Sequence, residues 1–166
     1  SADASDVNYA ASLLSYLLNY GTPKQREVVC AESVRHIAKI IELLESTDIA
    51  NVHIAANLLA NLLHHGTTEQ QGAICSEAVA HIAKIIELLE SDYIKNVYTA
   101  ARLLNNLLVY GTTEQQGAIC SEAVRHIAKI IELLESDDIA DVHIAAKLLT
   151  HLLICGGEEI QVQVLT

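Results

Sequence analysis

From Glu77 to Glu90 the apolar residues Val79, Ile82, Ile85, Ile86 and Leu89 recur at spacings of three and four, which is one stripe along an α-helix. A second such stretch runs from Ile94 to Tyr110, after the polar break Ser91-Asp92. Gly111 follows it directly, and then Thr112-Thr113-Glu114. Glycine in a left-handed C-terminal position predicts the end of one helix. Threonine at an N-cap, with glutamate in the first turn, predicts the start of the next. Pro23, just after Thr22, sits where a missing backbone N–H does no harm.

The same pattern recurs along the chain. Gly21, Gly66, Gly111 and Gly156 lie 45 residues apart, and the segment Thr67 to Ser91 returns as Thr112 to Ser136 with one change, Ala80 against Arg125. Such near-identity points to design or recent duplication. The boundaries that follow are an N-terminal cap helix in 1–21, units 22–66, 67–111 and 112–156, and a C-terminal cap helix in 157–166. The cap helices are expected from Asp3 to Tyr20 and from Glu158 to Leu165, with Ser12, Ser15 and Asn19 giving the first a polar outer face. Units of this kind bury their apolar faces only by stacking on one another. Within a unit, Ser76 and Glu77 predict a break near Cys75-Ser76-Glu77, hence three helices per unit. The alternative is one continuous helix from Glu69 to Glu90 and a two-helix, HEAT-like unit.

Composition supports an all-α chain. Hydrophobic residues make up 51% of it, yet Phe, Met and Trp are absent, and one proline and seven glycines leave little turn chemistry for a many-stranded sheet. The formal charge of −11 argues against nucleic acid and anionic membrane surfaces, whose binding rests on Lys and Arg. No run has the length of a membrane span, and the N-terminus lacks a basic, apolar signal pattern. A cytoplasmic setting is the default expectation.

The unit resembles the armadillo repeat. Glu69-Gln70-Gln71, Ile85-Ile86-Glu87-Leu88-Leu89-Glu90-Ser91 and Ala100-Ala101-Arg102-Leu103-Leu104-Asn105-Asn106 carry the resemblance, which extends over nearly the whole chain. The family's Gly and Pro between its first two helices are replaced by residues such as Ala80-His81-Ile82-Ala83. The resemblance implies a right-handed α-solenoid in which the last helices of successive units line a concave groove that holds an extended peptide.

Those last helices are also where the units differ. Comparing Ile49–His65, Ile94–Tyr110 and Ile139–Cys155, the changing sets include His53/Tyr98/His143, Asn57/Arg102/Lys147, Ala60/Asn105/Thr150, Asn61/Asn106/His151, His64/Val109/Ile154 and His65/Tyr110/Cys155. At about 100° per residue they fall within an arc of roughly 140° centred near Asn57. Leu58, Leu59, Leu62 and Leu63 belong to the fixed remainder. Neutral drift would have touched both surfaces, yet Glu69, Lys84, Glu87 and Glu90 recur unchanged as Glu114, Lys129, Glu132 and Glu135. The expected site is therefore His53, Asn57, Asn61, His64, Tyr98, Arg102, Asn105, Asn106, His143, Lys147 and His151, a surface for a protein or extended peptide. By the resemblance, Asn61 and Asn106 match the groove asparagine that bonds a peptide backbone, with Tyr16 and His151 at the corresponding places in the flanking units. Asn57, Arg102 and Lys147 stand where importin-type members carry a tryptophan, so the resemblance does not extend to nuclear localisation signals.

Chemistry is poorly represented. Cys30, Cys75 and Cys120 are in register, which in stacked units separates them by about 10 Å, beyond the reach of about 7 Å for a disulfide. They are expected to be unpaired, buried thiols. His36, His81 and His126 form an evenly spaced ladder that does not converge as metal ligands must. No phosphate loop or nucleophile motif occurs, so no enzyme activity, metal or cofactor is implied. Two classes remain: a peptide or protein binding module, and a structural or self-assembling scaffold whose incomplete end units pair with other copies.

Overall fold

The computed structural model describes the backbone of residues 4–165 and the side chains of residues 5–155. Residues 1–3 and 166 lie outside the described residues, and with them Asp3, the expected start of the first cap helix. The described chain is all-helical: α1 (Ala4–Tyr20), α2 (Pro23–Arg35), α3 (Ile37–Leu44), α4 (Ile49–His65), α5 (Thr68–Val79), α6 (Ile82–Leu89), α7 (Ile94–Tyr110), α8 (Thr113–Ala123), a 3₁₀ turn Val124–His126, α9 (Ile127–Leu134) and α10 (Ile139–Leu165). The long helices form a row: α4 packs between α1 and α7, and α10 packs on α7. Each receives a short amphipathic helix on its flank, α3 on α4, α6 on α7 and α9 on α10. The leucine pairs Leu58-Leu59, Leu62-Leu63 and Leu103-Leu104 are fully buried between these layers.

The starts of α2, α5 and α8 are closed by capping boxes. Thr22, Thr67 and Thr112 each accept the N–H of the residue three positions on, and the Gln25, Gln70 and Gln115 side chains reach back to the cap N–H. Two donors that a helix start leaves free are thereby paired. Gln71 and Gln116 add a further tie, each Nε2 donating to a carbonyl near the end of the preceding helix, Leu63 O at 2.9 Å and Leu108 O at 2.8 Å.

Four local expectations are corrected. Gly66 and Gly111 close their helices in extended conformations, φ −74°, ψ 162° and φ −76°, ψ 160°, not in the left-handed region. Space is what requires glycine, because a Cβ on Gly66 would stand 2.7 Å from the Leu62 carbonyl oxygen and one on Gly111 2.5 Å from that of Leu107. The break within a unit is not at Ser76: α5 runs through Cys75-Ser76-Glu77, and the Ser76 hydroxyl bonds back to Gly72 O at 3.1 Å. The chain turns instead at His81, φ −114°, ψ 28°. Helix from Glu69 to Glu90 is therefore not continuous, and the span Thr67–Tyr110 holds three helices. Gly156 does not stop α10, which runs on to Leu165. Gly156 is followed by Gly157-Glu158-Glu159 rather than the Thr-initiated box that follows the other three, so nothing there competes for the helical backbone. Of the polar residues expected on the outside of α1, Ser12 and Asn19 are exposed but Ser15 is buried.

Candidate functional site

Because α1, α4, α7 and α10 lie side by side, residues 45 apart come to stand beside one another. A hollow of about 380 Å³ crosses the row. It is lined by Asn19 of α1, His64 and His65 of α4, Tyr98, Arg102, Asn105 and Asn106 of α7, and Ala140, His143, Ile144 and Lys147 of α10. Seven of the residues expected from sequence are thus brought together: His64, Tyr98, Arg102, Asn105, Asn106, His143 and Lys147. His53, Asn57, Asn61 and His151 are not in its lining.

Several variable side chains are spoken for by the neighbouring helix. Arg102 lies across α4, donating to Asn57 Oδ1 at 3.2 Å and, in a shorter contact, to Asn61 Oδ1. Asn61 is 1% exposed, and its Nδ2 has no protein partner. Asn106 donates to the Ala60 carbonyl at 3.0 Å, and His151 Nδ1 meets Asn105 Oδ1 at 2.7 Å. At the N-terminal edge of the row, Asn8 donates to Asn51 Oδ1 at 2.6 Å. Variation along the last helices therefore also records which helix stands next to which, a cause the comparison of units alone does not reveal. Asn19, His65, Ala140 and Ile144 are the lining residues outside the expected site. His65 is in the changing sets, and Asn19 stands 45 positions before His64.

Charge is distributed unevenly. Burial lowers the pKa of Arg102 from its ordinary value, with Tyr98 acting in the opposite sense, yet a guanidinium remains a cation. His65 is held below the usual imidazole range by burial and then by His64, Arg26 and Arg102. Burial also lowers His53, opposed by a side-chain hydrogen bond with Asn96 that favours the protonated ring, and reinforced by Lys95. An adjoining hollow shares Tyr98 and Ala140 with the first but is lined by Glu135, Asp137, Asp138 and Asp141, with Lys95.

No protein-family model matches the chain, and no curated protein matches it. Six chains of solved structures do. One is the crystal structure of an engineered protein, a target of the Northeast Structural Genomics Consortium, 27% identical, with a TM-score of 0.66 over 100% of this chain and 68% of that one.

The cysteines and the histidine ladder lie outside the lining of this hollow. All four cysteines are thiols, Cys30, Cys75 and Cys120 being buried. Burial pushes Cys75 and Cys120 up to about 11, Cys155 adding to the shift at Cys120, so they lack the low-pKa setting of reactive thiols. His81 Nδ1 meets Glu45 Oε1, and His126 Nδ1 meets Glu90 Oε1, each at 2.5 Å. These contacts stitch the turn of one span to the end of the preceding short helix. His36 takes the same turn, φ −111°, ψ 24°, with no ion pair among the described residues, so the turn forms without that pairing. Among the described residues no three His, Cys, Asp or Glu side chains gather as a metal site, and no helix is long and apolar enough to cross a membrane.

Proposed function

We propose that this chain is a non-enzymatic binding module, an armadillo-like solenoid of three 45-residue units that takes an extended peptide along the face of α4, α7 and α10. The observation that carries this is the hollow itself, which collects Tyr98, Arg102, His143 and Lys147 from two adjacent helices at positions where the units differ. Tyrosine and arginine are the residues most often found at binding hot spots, and stacked repeats recognise partners through extended surfaces of this kind. The near-identical segments, together with the likeness to an engineered protein, favour a chain that was itself built from copied units. Panning a displayed library of random peptides is the test. Enriched peptides should lose about tenfold or more in affinity for Tyr98→Ala/His143→Ala and bind Glu87→Ala/Glu132→Ala as they bind the parent. Unchanged binding to the first variant and loss with the second would move the site to the opposite surface.

A second reading, a self-assembling scaffold, is favoured by one contrast. Leu58, Leu103 and Leu148 are 0% exposed, whereas Leu13, in the same register on α1, is 59% exposed beside Tyr9 and Tyr16. The first three lie on long helices that each pack on the long helix before them, and among the described residues none precedes α1. A second copy packing its α10 there would extend the row. On this reading the sedimentation mass rises with concentration, and Leu13→Glu returns it to that of a monomer. A monomeric parent at every concentration ends it.

A further inference from the structure

The hollow on the α4, α7 and α10 face differs in charge from the molecule that carries it. The chain has 21 Asp and Glu against 10 Lys and Arg, yet this lining contains Arg102, Lys147, His64, His65 and His143 and no carboxylate. Arg102 is part-buried, and its hydrogen bonds go to the neutral amide oxygens of Asn57 and Asn61. Among the described residues neither Arg102 nor Lys147 stands in an ion pair. A cation withdrawn from water without a counter-ion is unfavourable, and carboxylate oxygens are the acceptors that a guanidinium fork fits best. Beyond Tyr98 and Ala140 the surface changes sign, with Glu135, Asp137, Asp138 and Asp141 around the adjoining hollow. An anionic ligand is thereby confined to the half of the face that runs from Tyr98 towards His64 and Lys147.

We propose that this half of the face binds the side-chain carboxylates of an acidic extended peptide, with Arg102 and Lys147 as the principal cations and the three histidines around them. The proposal rests on the peptide-binding reading given above and names its ligand class. Within it, Arg102 has two functions. It ties α7 to α4 through Asn57 and Asn61, and it offers its remaining N–H donors to a carboxylate. Lys147 is exposed and among the described residues has no such tie, which makes it the clean position at which to reverse the charge.

Three short peptides carrying a neutral dye, acetylated and amidated so that only side chains differ, would alternate serine with glutamate, glutamine or lysine. Fluorescence anisotropy should show the glutamate peptide binding about tenfold or more tighter than the glutamine peptide, and weakening as salt is raised. Lys147→Glu should lower that affinity about tenfold with an unchanged circular dichroism spectrum. Equal binding of the glutamate and glutamine peptides, tighter binding of the lysine peptide, or indifference to Lys147→Glu would overturn the assignment. If library peptides of other composition still depend on Tyr98 and His143, the carboxylate preference fails and the peptide-binding reading stands. If no library peptide depends on them, both fail.

Discussion

At the scale of single residues, the glycines divide into two kinds that sequence alone does not separate. Gly66 and Gly111 stand where the chain leaves a long helix, and any side chain there would press on the Leu62 or Leu107 carbonyl. Gly72 and Gly117 lie inside α5 and α8, exposed, with nothing within 4 Å of an added Cβ. Glycine inside a helix costs about 1 kcal/mol relative to alanine, because it surrenders more backbone freedom on folding. Gly72→Ala should therefore stabilise the protein by about 1 kcal/mol, roughly 2–4 °C in thermal midpoint for a chain of this size. Gly66→Ala should destabilise it by about 1 kcal/mol or more, since a backbone oxygen has to move. Thermal and urea denaturation of the two variants check the pair, and shifts of the same sign in both would show that space at Gly66 is not the governing factor.

At the scale of elements, most helix boundaries were legible because chemistry marks them. Thr67 with Glu69 announces the start of α5 and Gly111 the end of α7, whereas Asp48, which the sequence reading passed over, caps α4 by accepting the Ala50 N–H at 3.0 Å. The turn at His81 carries no such mark. The buried positions Ile74 and Ala78 on α5 and Ile85 and Leu89 on α6 continue at spacings of three and four with Ile82 between them, so the apolar stripe passes through the turn without changing phase. Ser76 has the chemistry of a cap, but its hydroxyl bonds to Gly72 O inside the helix, as serine in a helix interior can. The candidate site was legible to the same degree. Seven of the expected side chains line one hollow, but sequence comparison does not distinguish a side chain turned to solvent from one buried or bonded to the next helix. Arg102, Asn106 and His151 each hold a neighbour, and only the side-by-side placement of α4, α7 and α10 shows it.

At the scale of the whole molecule, stability is shared along the row, because each long helix packs both on the long helices beside it and on the short helices at its flank. The junctions between neighbours hold the two histidines whose folded environment disfavours charge. His53 on α4 faces Asn96 and Lys95 of α7 and is desolvated, and His65 faces His64, Arg26 of α2 and Arg102 of α7. Both pKa values lie below 6.5 in the folded chain. The sign of the linkage follows. Below about pH 6.5 the unfolded chain binds protons that the folded chain declines, so stability rises with pH through this window and is lost as pH falls towards the folded values. The thermal midpoint should therefore drop between about pH 7.5 and pH 5, a range above the ordinary carboxylate pKa values near 4. His53→Gln, which cannot take up the proton, should show a smaller drop. An acidic peptide in the neighbouring hollow should also reduce it, because a carboxylate near His65 favours the imidazolium. Calorimetric scans at several pH values, with and without the glutamate peptide, measure both effects. A midpoint that stays flat across the range, or a drop in the His53→Gln variant as large as in the parent, would show that these junctions do not set the acid sensitivity of the row.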